Sequence, residues 1–198
     1  MNCHQPDPLN PLRAGQEIND PRRKCEPLAN PGSIYLRPGK INSAVECFEE
    51  QLEITRAAGD HASEGELFCH LGRAFYRRGE ILRAIDSYEQ CLRIAHQQSN
   101  RLREGEALSG LGLAYIPLGY ARYAIQRSER ALNIFRKMAD SSGQGRALFH
   151  LSLAVHKLGN RRQAIALAEE AAKILQAIGS PEAAAVREQL ASWQLRTI

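Results

Sequence analysis

The chain has 198 residues, a net charge of +4, 43% apolar residues and only 6% aromatic residues. This length suits one domain with a substantial core, or a repeat array of similar mass. No stretch approaches the roughly 18 consecutive apolar residues of a membrane-spanning helix. The weak, dispersed positive charge does not by itself indicate nucleic-acid binding. With 27 alanines, 23 leucines and few aromatic residues, the composition predicts an all-α protein.

The first 40 residues are set apart by proline, since they hold seven of the nine prolines. Proline lacks the backbone amide that a continuous helix needs. We therefore expect a disordered, proline-rich tail over residues 1–26 and a broken helix over residues 27–38. The amino terminus shows no apolar signal segment, so the expected localisation is cytoplasmic.

The five cysteines are spaced evenly by 22 residues, at positions 3, 25, 47, 69 and 91. None forms the closely spaced pair that zinc sites need, so no metal site is expected. An odd number of cysteines without a secretory signal predicts reduced thiols. Cys47, Cys69 and Cys91 are interpreted as small, buried apolar side chains.

A 40-residue period organises the rest of the chain. A degenerate copy over residues 27–65 precedes three full repeats, 66–105, 106–145 and 146–185. Such a period indicates a solenoid of stacked units. The positions that are identical in all three full repeats are Leu71/Leu111/Leu151, Ala74/Ala114/Ala154, Gly79/Gly119/Gly159, Ala84/Ala124/Ala164, Ile85/Ile125/Ile165, Glu89/Glu129/Glu169 and Ile94/Ile134/Ile174.

Each full repeat is predicted to form a hairpin of two helices. The apolar spacing predicts first helices over 66–78, 106–118 and 146–158, and second helices over 81–97, 121–138 and 161–178. A glycine ends each first helix, and polar links such as QQSNRLREGE join the hairpins. After the last hairpin, Ser180-Pro181-Glu182 is typical of a helix start. Residues 181–195 are therefore predicted to form a capping helix.

The repeat resembles the tetratricopeptide repeat (TPR) in a 40-residue form. The first-helix signature of the TPR is matched by Phe68, Leu71, Gly72 and Phe75, and the second-helix signature by Ala84, Tyr88 and Cys91. The resemblance implies a TPR domain over residues 27–195, with an all-α, right-handed superhelical solenoid of antiparallel helix hairpins and a carboxyl-terminal capping helix. Arrays of this kind are common in bacterial signalling and assembly proteins, so we expect a bacterial adaptor or assembly factor.

The sequence offers no catalytic constellation. The glycines near residues 110 and 143 lack the residues of a phosphate-binding loop, and the histidines lack the spacing of metal ligands. We therefore expect a protein that is not an enzyme and that needs no cofactor and no metal.

The resemblance also implies a binding surface, because the first helices of a TPR array line its concave face. The functional hypothesis makes Arg73 and Arg77 anchors for a partner's acidic or carboxyl-terminal group, above an apolar floor. The alternative is that these residues bind no partner: the arginines are then exposed to solvent, and the leucines pack against neighbouring helices. The predicted peptide-binding groove residues are Arg73, Tyr76, Arg77, Ser109, Leu113, Ile116, Arg146, Phe149, Leu153, His156 and Lys157.

The predicted function is a non-catalytic protein-protein interaction module that holds a peptide or protein segment in the concave groove. One alternative is nucleic-acid or anionic-surface binding through the 21 arginines. The other is a self-assembling structural subunit, in which the acidic segment 26–65 meets the basic body of a second copy. In that case residues 41–57 mediate a weak homo-oligomer.

Overall fold

The computed structural model describes residues 41–195, apart from the side chain of Ala62. This part of the chain forms eight α-helices joined by short turns. The predicted tail over 1–26 and the predicted broken helix over 27–38 lie outside the described residues. The helices are α1 Ile41–Ala57, α2 His61–Arg78, α3 Ile81–Gln97, α4 Arg101–Tyr115, α5 Ala121–Lys137, α6 Ser141–Lys157, α7 Arg161–Ala177 and α8 Glu182–Leu195.

The helices form two layers. Consecutive helices pack against each other along the whole described chain, and the first helices also contact one another, α2 with α4 and α4 with α6. Within residues 41–195, the second helices α3, α5 and α7 make no comparably extensive contacts among themselves. The first helices therefore form the tighter, inner layer. The predicted all-α array of helix hairpins is confirmed.

The first helices begin about one turn earlier than the apolar spacing predicts. Asp60, Asn100 and Asp140 each accept a hydrogen bond from the backbone amide three residues ahead, at 3.0–3.1 Å. These side chains satisfy amides that a helix start otherwise leaves unpaired. The segment QQSNRLREGE, predicted as a polar link, therefore contains a capping residue and the first turn of α4.

Helix α4 ends earlier than predicted, at Tyr115 rather than at residue 118. Pro117 has no amide to donate to the carbonyl of Leu113, and that carbonyl instead accepts from the amide of Ile116 at 3.3 Å. Gly119 follows with a φ of +83°, which lets the chain turn into α5.

Tyr88 connects three helices because its ring is inserted between two glycines. A Cβ atom on Gly72 of α2 would lie 2.7 Å from the ring of Tyr88 in α3, and one on Gly110 of α4 would lie closer still. Tyr88 is buried, with 3% of its surface exposed. Since only a residue without a side chain fits at either position, these glycines set how closely α2 and α4 approach α3.

Helix α8 covers the last hairpin with Val186, Leu190 and Trp193, all of which are buried. The indole of Trp193 stacks on the imidazole of His156, with ring centroids 4.3 Å apart. Arg161 at the start of α7 donates a hydrogen bond to the carbonyl of Trp193. These contacts tie α8 to both helices of the last repeat.

The prediction of reduced thiols is wrong for Cys69 and Cys91, which form a disulfide between α2 and α3. Cys47 is disulfide-bonded as well. The separation of 22 residues brings position 69 opposite position 91 in the antiparallel hairpin, with Cα atoms 5.6 Å apart. The buried location expected for Cys69 and Cys91 is correct, and both are fully shielded from water.

The contact of the Tyr88 ring with Gly110 predicts how a substitution of that glycine changes stability. Gly110→Ala should lower the free energy of unfolding by about 1–3 kcal/mol, because the added methyl group overpacks the contact with the Tyr88 ring. In a Tyr88→Leu background the same substitution should be neutral or stabilising by up to about 1 kcal/mol, since alanine favours helix more than glycine does. Urea denaturation of the four proteins in this cycle measures both effects. Equal losses in the two backgrounds would contradict the packing account.

Candidate functional site

The concave side of the array contains a groove that encloses about 520 Å³. The inner faces of α2, α4 and α6 form its floor and one wall, and the start of α8 forms the other wall. Its size lies within the range of about 300–1,000 Å³ that is usual for ligand pockets. The residues that line this concave groove are Arg73, Tyr76, Arg77, Tyr88, Glu106, Ser109, Gly110, Leu113, Arg146, Phe149, His150, Leu153, Leu175, Pro181, Glu182, Ala184, Ala185 and Glu188.

The structure brings most of the sequence-predicted groove residues to this surface. Those that line the groove are Arg73, Tyr76, Arg77, Ser109, Leu113, Arg146, Phe149 and Leu153. Ile116, His156 and Lys157 do not line it. Ile116 lies in the turn after α4, His156 packs on Trp193, and Lys157 is exposed at the end of α6.

Glu106 lies at the centre of the charged part of the groove. Its Oε2 accepts a hydrogen bond from Arg103 at 2.6 Å, and its Oε1 faces Arg73 at 3.6 Å and Arg146 at 3.9 Å. Burial alone would raise the pKa of Glu106, but the charges of the three arginines outweigh it, so the pKa is lowered. Glu106 therefore stays ionised and connects α2, α4 and α6 through one carboxylate.

The carboxylate of Glu66 continues this network of ion pairs towards solvent. Glu66 accepts a hydrogen bond from Arg103 at 2.8 Å and lies 3.4 Å from Nε2 of the buried His70. The hydrogen bond from His70 is the largest cause that lowers the pKa of Glu66 to about 2, and the charge of Arg103 adds to it. The carboxylates of Glu66 and Glu106 therefore neutralise part of the positive charge of the first helices.

The imidazole of His150 forms a hydrogen-bonded pair with Ser109 beneath the groove. Its Nδ1 lies 3.0 Å from the Ser109 carbonyl and 2.9 Å from the Ser109 hydroxyl. Burial, aided by the positive charge of Arg146, lowers the pKa of His150 to about 4. The Ser109 carbonyl accepts from Nδ1 in the tautomer that is protonated there, whereas the Ser109 hydroxyl donates to Nδ1 in the other tautomer.

Residues 41–195 contain neither a group of metal ligands nor a membrane-spanning helix. Within residues 41–195, no group of three or more histidine, cysteine, aspartate or glutamate side chains is arranged to hold a metal ion. None of the described helices is both long and apolar enough to cross a membrane.

Sequence reasoning missed the contributions of Tyr88, His150 and the α8 wall to the groove. Tyr88 belongs to a second helix, and it reaches the concave side only because Gly72 and Gly110 leave space for its ring. The wall formed by Pro181, Glu182 and Glu188 depends on how α8 packs on α6 and α7. The repeat pattern holds no information on that packing, because α8 follows the last copy.

The fold is that of a superhelical array of helix-hairpin repeats, and comparison with known proteins identifies the class of repeat. Residues 28–97 match the family model "Tetratricopeptide repeat". This match supports the resemblance to the TPR for residues 28–97. Proteins of this family are generally non-catalytic protein-interaction modules. No curated protein matches the sequence.

Solved structures with a similar fold are distant in sequence. The apo form of RapI has a TM-score of 0.67 and 18% identity over 85% of this chain. A STAND protein with a tetratricopeptide repeat sensor from Pyrococcus horikoshii has a TM-score of 0.66 and 24% identity over 91% of this chain. This chain spans 61% of the length of RapI and 28% of the length of the STAND protein.

A third solved structure is matched over nearly its whole length. It contains the nearly identical TPR-like repeats of a putative kinesin light chain from Podosopora anserina. The TM-score is 0.57 at 21% identity, over 94% of this chain and 95% of that one. Similarity at these identities shows the shared fold alone.

The buried neutral imidazole predicts how stability depends on pH. Because the pKa of His150 is about 4 in the folded chain and about 6.5 when unfolded, only the unfolded chain binds a proton between these values. The free energy of unfolding should therefore fall as the pH is lowered from 6.5 towards 4. Glu66 should add a further loss between about pH 4.5 and pH 2.

Urea denaturation at pH 7.0 and pH 5.0 measures the histidine contribution. His150→Gln keeps a donor near the Ser109 carbonyl but cannot titrate, so its stability should change less between the two pH values. His61→Gln, at an exposed histidine, is the matched control and should behave like the wild-type protein. An unchanged pH dependence in His150→Gln would contradict this assignment.

Proposed function

We propose that the chain is a non-catalytic interaction module, an adaptor, scaffold or assembly factor, that binds a peptide or protein segment of its partner in the concave groove. The observation that carries this proposal is the groove itself, in which an apolar floor lies beside a cluster of arginines. Apolar contact area with a few charged anchors is the combination by which short segments are recognised.

The floor provides the apolar part of the recognition. Leu113 of α4 and Phe149 and Leu153 of α6 are half-buried and line the groove, and the two α6 residues also pack against the core. Burying them under a partner's side chains removes apolar surface from water, at about 25 cal/mol per Å². These side chains therefore favour a partner segment with large apolar residues.

The arginines provide the charged part. Arg73 and Arg146 face Glu106 at 3.6 and 3.9 Å, longer than the 2.7–2.9 Å typical of a charge-assisted hydrogen bond. Each guanidinium has five N–H donors, so both retain capacity for a second acceptor. Arg77, one turn along α2 from Arg73, is exposed at the same surface. A partner's acidic side chain or terminal carboxylate is the group that these donors would bind.

The two alternatives from the sequence have less support. Several arginines are paired with glutamates of the same chain, which reduces the positive surface available to nucleic acid. The groove is lined by residues of α2 to α4 and α6 to α8 and includes none of α1, the helix expected to mediate self-association. The expected cytoplasmic localisation is part of this proposal, although the Cys69–Cys91 disulfide is more typical of oxidising compartments.

Neutralising two groove arginines tests the proposal. Arg73→Gln/Arg77→Gln should weaken binding of peptides selected from a random phage-displayed library on the wild-type chain by about 100-fold or more, because two charge-assisted hydrogen bonds are lost and each contributes about 1.5–3 kcal/mol. Fluorescence anisotropy with synthetic peptides measures the affinity.

The matched control is Arg122→Gln/Arg130→Gln, which removes the same charge from exposed positions of α5 outside the groove. This variant should bind the peptides as the wild-type protein does. Equal weakening in both variants would show a general charge effect and would contradict the groove as the binding site.

A further inference from the structure

Three tyrosine rings lie in contact at the turn between α4 and α5, outside the concave groove. The ring centroids of Tyr115, Tyr120 and Tyr123 are 6.1–6.3 Å apart in all three pairs. Tyr115 is half-buried and packs against the core. Tyr120 and Tyr123 are 54% and 58% exposed, and Leu118 of the same turn is exposed as well. This tyrosine cluster, defined as Tyr115, Tyr120 and Tyr123, therefore presents an aromatic surface to solvent.

The other two full repeats have polar pairs at the positions of the two exposed tyrosines. In the first full repeat these positions hold Glu80 and Arg83, which form an ion pair at 2.9 Å. In the third they hold Asn160 and Gln163, whose side chains form a hydrogen bond at 2.8 Å. The hairpin turn therefore does not require aromatic residues here, and the exposed rings are particular to the middle repeat.

Clusters of aromatic side chains bind proline-rich segments in several recognition domains. Such segments adopt the polyproline II conformation, and their pyrrolidine rings pack on the aromatic side chains. A segment that already favours this conformation loses little entropy when it binds. The tyrosine cluster therefore favours a proline-rich occupant.

The chain itself contains a segment of this kind. Residues 5–12, with the sequence QPDPLNPL, hold Pro6, Pro8 and Pro11 and lie outside the described residues. Pro8 and Pro11 have the spacing of the PxxP motif that aromatic grooves recognise. Nowhere else in the chain do three prolines fall within eight residues.

Residues 5–12 are close enough along the chain to reach the tyrosine cluster. Because consecutive helices are antiparallel, α1, α3 and α5 run in the same direction and begin at the same edge of the array. Helices α1 and α3 are neighbours, since Arg83 and Glu49 form an ion pair at 2.8 Å. The start of α5 thus lies about two helix diameters, roughly 20–25 Å, from the start of α1. Residues 13–40 can extend to about 90 Å, at about 3.3 Å per residue.

From these observations we infer that the tyrosine cluster is a docking surface for residues 5–12 of the same chain, with Pro8 and Pro11 packed on the exposed rings of Tyr120 and Tyr123. The connection through residues 13–40 raises the effective concentration of the segment at the cluster, so a weak contact suffices. This inference goes beyond the proposed function and is independent of it, because none of the three tyrosines lines the concave groove.

Nuclear Overhauser effects in the full chain test the contact. Protein labelled with carbon-13 at proline alone should show cross-peaks between Pro8 or Pro11 and the rings of Tyr120 or Tyr123. The Pro8→Ala/Pro11→Ala variant should lose these cross-peaks and shift the ring signals of the two tyrosines. The ring signals of Tyr88, which is buried in the core, should stay unchanged.

Three further variants serve as controls. Pro21→Ala removes a proline outside residues 5–12 and should keep the cross-peaks. Tyr120→Phe/Tyr123→Phe retains the aromatic rings and should keep the contact. Tyr120→Ala/Tyr123→Ala should lose it while the circular dichroism stays that of the wild-type protein, because both side chains are exposed.

A mixed sample distinguishes docking within one chain from docking between two copies. Chains labelled with carbon-13 at proline on a deuterated background are mixed with unlabelled chains, so that only contacts between copies give cross-peaks to tyrosine. The inference predicts none in this sample.

Three results would overturn the inference. The first is the absence of cross-peaks from residues 5–12 to the tyrosine cluster in the wild-type chain, even if the ring signals shift in Pro8→Ala/Pro11→Ala. The second is cross-peaks that survive Tyr120→Ala/Tyr123→Ala, and the third is cross-peaks in the mixed sample. None of these results bears on peptide binding in the concave groove, so the failure of either proposal is recognised separately.

Discussion

The close approach of the first helices is the constraint on which the rest of this structure depends. Tyr88 fits between Gly72 and Gly110, and this packing fixes α2 and α4 against α3. With the first helices in contact, the arginines and glutamates of three repeats come within reach of one another. The concave groove is the surface that this packing creates.

The close approach of the first helices also brings together a network of ion pairs. Its members are Glu66, Arg103, Glu106, Arg73 and Arg146. A half-buried network of this kind contributes little net stability, since desolvation offsets much of the attraction. Its effect on the groove is more specific, because Glu106 holds three arginines of three helices at fixed positions. Arg73 and Arg146 line the groove and are held there by Glu106 in the free chain, which lowers the entropic cost of the binding that we propose.

The sequence predicts the structural features that recur in every repeat. It does not predict the contacts that depend on how the repeats pack against one another. The 40-residue period predicts the hairpins, and most of the predicted groove residues line the groove because first-helix positions recur. Asp60, Asn100 and Asp140 recur with the same period, but apolar spacing does not detect them because helix starts carry few apolar residues. The Cys69–Cys91 disulfide depends on the register of the α2–α3 hairpin, which the spacing of metal-binding motifs does not describe. Glu182 and His150 became groove residues only through the packing of α8 and α6, which no local pattern encodes.

The central claim is that a partner segment binds between α2 and α8 over the floor formed by α4 and α6. Methyl NMR of the full chain, titrated with a selected peptide, tests it directly. The account predicts that the methyl signals of Leu113 and Leu153 shift on binding, whereas those of Leu82 and Leu195, which are 69% and 75% exposed outside the groove, do not. Shifts at Leu82 or Leu195 with no change at Leu113 and Leu153 would contradict it.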